Sequence, residues 1–493
     1  MSPSFEDIPK PGLWKRFLLG AVLVVFATAS ATAVAAFREV DKVVDALNEN
    51  DSLTLDELAQ TDPGEPQTIM LLGSDRRPDN ATDGGAGTGA RSDTIILVRL
   101  DPDRGTALMS LPRDLKVQIP GHGTDKINAA YELGGPNLTL KTVRRLTGLS
   151  VNHVINVDFQ GFRRAVDAIG CIYLDIDRRY FNDSAEFAYI NIYPGYQKLC
   201  GEEALEYARF RHEDTDLVRS ARQQEVLREA KQQIGTGRLI EDRDKLIKIF
   251  GKYTTSDAAL KSRSGILRLL KLAVFSVDKP LREVHFEGEI TAGDAEAGLP
   301  SYVTASNAAV KRLAAQFLGV EETEGPRGDA GVRRKRPRGG GDPDGGLFKE
   351  AASGRNMAVR TIQKAKRKDA TRLPIYYPTV FLKGAYADQA PRNYRIKTPD
   401  GKVERAYRMV VRGPIFGDYY GIQGTTWKEP PILQSDSEER KQGKRTFELH
   451  YDGDRVRLVA WRTSRAVYWV SNTLRQTLSE QQMLAIARST RLP

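Results

Sequence analysis

Cysteine is nearly missing from this chain: Cys171 and Cys200 are the only two, and the five histidines are scattered. A structural zinc site, which needs four thiolate or imidazole ligands, has no donor set to draw on. No helix-turn-helix pattern occurs, which argues against a base-reading DNA module. Charge of either sign is absent from Phe17 to Phe37, a run of 21 residues. As a helix that run is about 31 Å long, enough to cross the hydrocarbon of a bilayer. Acidic residues are the minority charge, with 64 Asp and Glu against 74 Lys and Arg, a net +10. The surplus suits an anionic partner, whether nucleic acid, lipid phosphate or wall polymer, without choosing among them.

Lys10, Lys15 and Arg16 precede the apolar run. The positive-inside rule therefore puts a tail, 1–16, in the cytoplasm, a transmembrane helix over 17–37, and everything later outside the cell membrane. A cleaved signal peptide, with small residues around Ala29 to Ala31, is the alternative, and it exports the same bulk of chain. In an exported protein an even cysteine count reads as a disulfide between Cys171 and Cys200, worth roughly 3–4 kcal/mol in chain entropy. Two buried thiols remain the other reading.

The 493 residues, 40% of them hydrophobic, accommodate two or three domains. A polar stalk over 38–66 leads to Thr68-Ile-Met-Leu-Leu-Gly73, an apolar run with the look of a buried central strand. Strands over Thr94–Leu100 and Thr106–Leu111 form a hairpin around the turn at Asp101–Gly105. These strands end or begin in charged clusters: Asp75 and Arg77, Arg91 and Asp93, Arg113 and Asp114. Open α/β sheets place ligands at such ends, although charged loops there are often only solvated. Alternating strands and helices continue to about Leu318, so 67–319 reads as one α/β domain.

The densest signal is ALEYARFRHEDTDLVRSARQQ, Ala204 to Gln224. If YARFR is extended, Arg209 and Arg211 share one face. If LVRSARQQ is helical, Arg219, Arg222 and Gln223 share another, at i, i+3 and i+4. Two facing arginine pairs can grip a polyanion through forked, charge-assisted hydrogen bonds; a solvated helix face carries the same residues. Segment 320–346 is a basic, Gly-rich linker containing RRKRPR. Beyond it, 347–493 reads as a small α+β domain of strands and one capped helix from Ser479, with no catalytic constellation.

LLGSDRR, GARSDT, SLPRD, DKINAAY, VDFQGF, ALEYARFRH and VRSARQQ stand here in the order and spacing found in the LytR-CpsA-Psr (LCP) family of envelope proteins, which the chain resembles over Gln67 to Ile234 and more weakly to Leu318. The CIYLDID and YPGYQKLC segments, with the two cysteines, look like its actinobacterial branch. The resemblance implies an α/β sandwich with a central mixed sheet enclosing an apolar pocket. It implies an outward-facing, Mg²⁺-assisted phosphotransferase that moves a glycopolymer from a polyprenyl diphosphate carrier to peptidoglycan through a phosphodiester. Asp75 and Asp93 match the metal-binding positions. Arg77, Arg91, Arg113, Arg209, Arg211, Arg219, Arg222 and Gln223 match the diphosphate-contacting ones. Asp216 lies among them as a base, an orienter of Arg219 or a helix cap. Two carboxylates beside phosphate oxygens suit Mg²⁺, which keeps water and takes few protein ligands.

Two departures from the family pattern stand out. Arg178 to Tyr189 is shorter and differently charged, which leaves the acceptor-side contacts open. The C-terminal domain lacks the tail motifs that often follow the catalytic unit, so wall binding and spacing are both open to it. A polyprenyl diphosphate phosphatase would use the same site with water as acceptor. A non-catalytic lipid or wall-polymer binder would not need Asp75, Asp93 and Arg113. A DNA-binding attenuator would have its basic linker on the wrong side of the membrane, so no nucleic-acid partner is expected.

Overall fold

The computed structural model describes residues 40–62, 64–74, 92–184, 189–210, 214–233, 243–277, 281–291, 301–320, 346–367, 373–452 and 455–493. The apolar segment 17–37, most of the linker, and Asp75, Arg77, Arg91 and Arg211 lie outside these residues, as does the side chain of Asp93. No helix among the described residues is long and apolar enough to cross a membrane.

Six strands form the central sheet: β1 (Gln67–Ser74), β2 (Ser92–Asp101), β3 (Gly105–Leu111), β4 (His153–Asp158), β5 (Thr254–Ser256) and β6 (Leu281–Val284), in the order β5-β4-β1-β2-β3-β6. β1 runs antiparallel to β2 and parallel to β4, so the sheet is mixed. The apolar run of β1 is buried on both faces, as its composition requires of a middle strand. Met70, Leu72, Ile95 and Leu97 point to one side, into a core closed by helix α1 (Ala129–Thr147). Ile69, Ile155 and their neighbours Leu71, Val98 and Val157 point to the other, against Phe250 and Ile266.

The stalk expected over 38–66 is not a free arm where it is described. Residues 40–47 are helical, and Val40 and Leu47 are buried in the second core. Leu53 N–H donates to Ser256 at 2.9 Å and Ala59 N–H to Val151 at 2.8 Å. Apolar residues spaced along this polar segment pin it to the sheet edge. The ordered unit therefore begins well before Gln67.

Helices α2 (Phe159–Ala168), α3 (Gly201–Arg209) and α4 (Asp216–Gln233) follow. α3 corrects the extended reading of YARFR: the helix runs through Arg209. It starts where the Glu203 carboxylate accepts from the Cys200 N–H at 3.3 Å. Cys171 and Cys200 are disulfide-bonded, which ties the strand Ile172–Ile176 to the start of α3.

In the C-terminal region an eight-stranded antiparallel sheet spans Tyr386 to Ser471. One face carries its own core, with Met409, Ile422, Trp461 and Tyr468 under the helix Glu480–Ser489. The other face is not exposed. Trp469, Leu458 and Ile396 pack on Tyr173 and Tyr196 of the first unit. Asp175 takes Arg408 Nη1 at 3.1 Å and the Trp469 indole N–H at 3.0 Å.

Candidate functional site

Four strand ends meet at one edge of the central sheet. β1 ends at Ser74, β2 begins at Ser92 beside it, β4 ends at Asp158 opposite Ser74, and β3 leads into Pro112-Arg113-Asp114. Gly73 is the close point of this edge. A Cβ there would stand 2.9 Å from the Thr94 Cβ, so the two backbones can converge only at glycine. Convergence brings the backbone of Asp93 next to the residue before Asp75. The Ser74 hydroxyl is buried here with no hydrogen-bond partner among the described residues. An orphaned hydroxyl between two aspartate positions is a set of hard oxygens, the donor chemistry that Mg²⁺ takes.

Arg113 is nine-tenths buried. Its Nε lies 3.7 Å from Asp216 and 3.8 Å from Asp114. Asp216, the first residue of α4, also pairs with Arg219 one turn on. Its second oxygen accepts from the Asp114 N–H at 3.3 Å. Lys126 reaches Asp114 at 3.0 Å. Asp216 is thus held between two arginines with both oxygens engaged. That geometry fixes the positions of Arg113 and Arg219 relative to each other.

Gln223 bridges the sheet: its amide donates to the Thr94 hydroxyl at 2.9 Å and its carbonyl accepts from Ser110 at 3.4 Å. Arg209 closes the opposite corner, its guanidinium 4.1 Å from the Phe159 ring centroid.

Arg222 differs from the sequence expectation of a phosphate-facing residue. It is fully buried, pairs with Asp214 at 2.9 Å and donates to the carbonyls of Tyr207 and Phe210 at 2.9 and 2.6 Å. Arg178 takes the other Asp214 oxygen at 2.7 Å. The rings of Tyr180, Tyr207 and Phe210 surround the Arg222 guanidinium at 4.9 to 5.6 Å. Arg222 therefore ties Asp214, two residues before Asp216, to the end of α3. Asp214 and Arg178 were missed by sequence reasoning. The only available signal was an acid two residues before Asp216, and Arg178 lies far away in sequence.

The far side of α4 is equally polar. Glu225 accepts from the Tyr207 hydroxyl at 2.7 Å, and Glu229 meets Arg457 of the C-terminal sheet at 3.0 Å. Arg228 contacts Glu283, whose N–H donates to Asp452 at 3.0 Å. A helix polar all round can be buried only inside such a paired network. Burial pushes the Glu225 carboxyl up to about 8, against the opposing charge of Arg228. Burial likewise holds Glu283 well above, and drops His285 to about 4.

The raised Glu225 has a stability consequence. Between about pH 4.5 and 8 the unfolded chain has released a proton that the folded chain keeps. Stability falls as pH rises through this window and levels above it, with a limiting slope of about 1.4 kcal/mol per pH unit. In Glu225→Gln the amide keeps the Tyr207 hydrogen bond and does not titrate. Urea midpoints of this variant are expected to decline less steeply over the window than wild type; an unchanged slope would remove Glu225 as a source.

Sheet edge and arginines together define an α/β domain that gathers paired arginines and aspartates at its strand ends. The LytR_cpsA_psr family description matches residues 24–314, more than half of the chain, and the chain belongs to that family. It is 31% identical over 269 residues to the polyisoprenyl-teichoic acid–peptidoglycan teichoic acid transferase TagU of Oceanobacillus iheyensis, covering 52% of this chain and 80% of that one. It is 34% identical over 215 residues to the transferase TagV of Bacillus subtilis, covering 42% and 54%. Among solved structures, that of B. subtilis TagV aligns with 25% identity and a TM-score of 0.42, over 52% of this chain and 99% of that one.

Proposed function

We propose that this protein moves a glycopolymer from a polyprenyl diphosphate carrier to peptidoglycan, joining them by a phosphodiester. The observation that carries the reading is the Arg113–Asp216–Arg219 constellation at the strand ends, in a chain whose curated relatives are named as teichoic acid transferases to peptidoglycan. An acceptor hydroxyl oxygen bonds to the glycan-side phosphorus. The bond from that phosphorus to the bridging oxygen breaks, polyprenyl phosphate leaves, and the hydroxyl proton passes to solvent.

Arg113 and Arg219 are already turned inward by Asp216, so a diphosphate entering the edge meets fixed donors and exchanges one anionic partner for another. Lys126 and Arg209 extend the same positive rim. Gln223 fixes α4 to β2 and β3, which sets the depth of Arg219. Asp75 and Asp93 would hold Mg²⁺ beside the Ser74 hydroxyl, where the ion would spread the diphosphate charge. Segment 17–37 would anchor the unit on the outer face of the cell membrane, at the height of a lipid-borne donor.

The test supplies the full chain in detergent with a polyprenyl diphosphate-linked glycan, peptidoglycan fragments and Mg²⁺. A new phosphodiester-linked glycan in the mass spectrum is the expected product, and chelation is expected to suppress it. Release of the lipid phosphate with no glycan on the acceptor would favour the phosphatase reading. Intact lipid would favour a carrier-binding protein.

A further inference from the structure

Exposed aromatic rings are not scattered over this molecule. Among the described residues, every exposed phenylalanine or tyrosine falls within 181–193 or 386–416. The first segment belongs to the family unit, the second to the C-terminal sheet. They meet: Gln389 accepts from the Arg179 N–H at 3.0 Å, and Arg392 donates to the Pro194 carbonyl at 2.9 Å.

On the first side, the Arg179 guanidinium lies 4.7 Å from the Phe181 centroid and 4.6 Å from that of Tyr193. On the second, Arg412 lies 5.9 Å from Tyr386 and 5.8 Å from Phe416. Phe181 and Tyr193 are each 43% exposed, Tyr386 50% and Phe416 58%. A guanidinium group thus lies within cation–π range of each of these surface rings.

The ladder runs toward the catalytic edge. Arg412 and Arg178 flank Tyr419, at 5.9 and 5.4 Å, and Arg178 grips Asp214, two residues before Asp216. Gly417, next to Phe416, adopts φ +81°, and a Cβ there would stand 3.0 Å from Val218, the neighbour of Arg219. The C-terminal sheet thus delivers its aromatic loop to the start of α4.

We infer that this seam binds the peptidoglycan glycan strand and guides it toward the strand-end site. The inference rests on the transfer reading above and gives the C-terminal sheet a part in it. Flat rings present apolar faces that match the C–H faces of pyranose sugars, while their polar edges stay wet. Interleaved guanidinium forks match the carboxylates that stem peptides carry. The surface lacks the aliphatic run that a bilayer-inserting loop requires: among the described residues of the two segments the exposed large aliphatics are Val403 and Ile415, well apart in sequence.

Titration of the full chain in detergent with soluble peptidoglycan glycan strands tests this, beside neutral chitin oligosaccharides and anionic lipid vesicles. The double variant Tyr386→Ala/Phe416→Ala and the single Arg179→Ala are expected to bind strands about tenfold more weakly. The unfolding transition of the double variant should stay where the wild type has it, since Tyr386 and Phe416 are at least half exposed. Arg179 is partly buried and bonds Asn191, so its variant is compared at matched folded fraction. The acceptor KM should rise more than kcat falls. Wild-type affinity in both variants overturns the proposal, and so does a loss confined to vesicles. Equal loss for chitin and strands would overturn the role given to the arginines. If strands bind and the variants release them while no phosphodiester ever forms, the transfer reading fails and the seam stands. If phosphodiester forms and the variants change nothing, the seam fails and transfer stands.

Discussion

Arg113→Ala is expected to slow transfer about a hundred- to a thousandfold while leaving the fold in place, the usual loss when one fixed donor to a developing oxyanion is removed. The backbone at Arg113 does not depend on its side chain. Its carbonyl accepts from the Asn128 N–H at 3.2 Å, and the Leu115 carbonyl accepts from Ile127 at 2.9 Å. Asp216 keeps Arg219 and the Asp114 N–H after truncation, so no buried charge is stranded. The stability cost should be about 1–3 kcal/mol, the ordinary range for a substitution at a buried site that strands no charge. Arg113→Lys restores the charge without the fork, and is expected to recover only part of the rate. Single-turnover transfer, read by mass spectrometry, and a thermal melt separate the two effects. A rate within threefold (roughly 0.7 kcal/mol) of wild type in Arg113→Ala would take Arg113 out of the site.

The parts of the fold most legible in the sequence were those with one-dimensional signals. The run at Thr68 to Gly73 could hardly be anything but a buried strand, and it lies at the middle of the sheet. In the C-terminal region the sequence reads as strands over Arg392–Lys397, Arg405–Val411 and Tyr419–Gln423, and strands stand at Arg392–Lys397, Val403–Arg412 and Tyr419–Thr425. Ser437–Gln442, SEERKQ, was missed: as a charged edge strand it has no apolar face to alternate. Helical spacing correctly placed Arg219, Arg222 and Gln223 on one helix but could not say which of them faces the strand ends. That was decided by Asp214 and Phe210 just before the helix, and by Arg178 and Tyr180 far back in the sequence. The burial of α4 was equally illegible. Its sequence reads as solvent-exposed, and partners from other elements make burial tolerable: Asp214 and Glu283 of the first unit, Asp452 and Arg457 of the C-terminal sheet.

Asp214→Ala should do what Arg113→Ala does not, and unfold the protein at much lower denaturant. Arg178 and Arg222 are 2% and 0% exposed and share this one carboxylate. Removing it leaves two buried positive charges among aromatic rings, with Asp177 the remaining acid that acts on both. Breaking a buried pair from one side costs about 3–5 kcal/mol, because the remaining charge can reach neither partner nor water. Cation–π contacts with Tyr180 and Phe210 offset part of that, on the order of 1–2 kcal/mol. The backbone carbonyls of Tyr207 and Phe210 still receive Arg222 at 2.9 and 2.6 Å, while Arg178 keeps the longer contact to the Arg179 carbonyl at 3.3 Å, so Arg178 should be the less well held of the two. Adding Arg178→Met to Asp214→Ala is therefore expected to recover stability relative to Asp214→Ala alone. The sign of that coupling distinguishes a stranded charge from a simple cavity, in which a second truncation would only add to the loss. Urea unfolding of the two single variants and the double supplies the cycle. Positive recovery places the Arg178–Asp214–Arg222 cluster as the support of the Asp216 loop. Additive loss would mean that the ion pairs contribute little and that packing of the rings holds the loop.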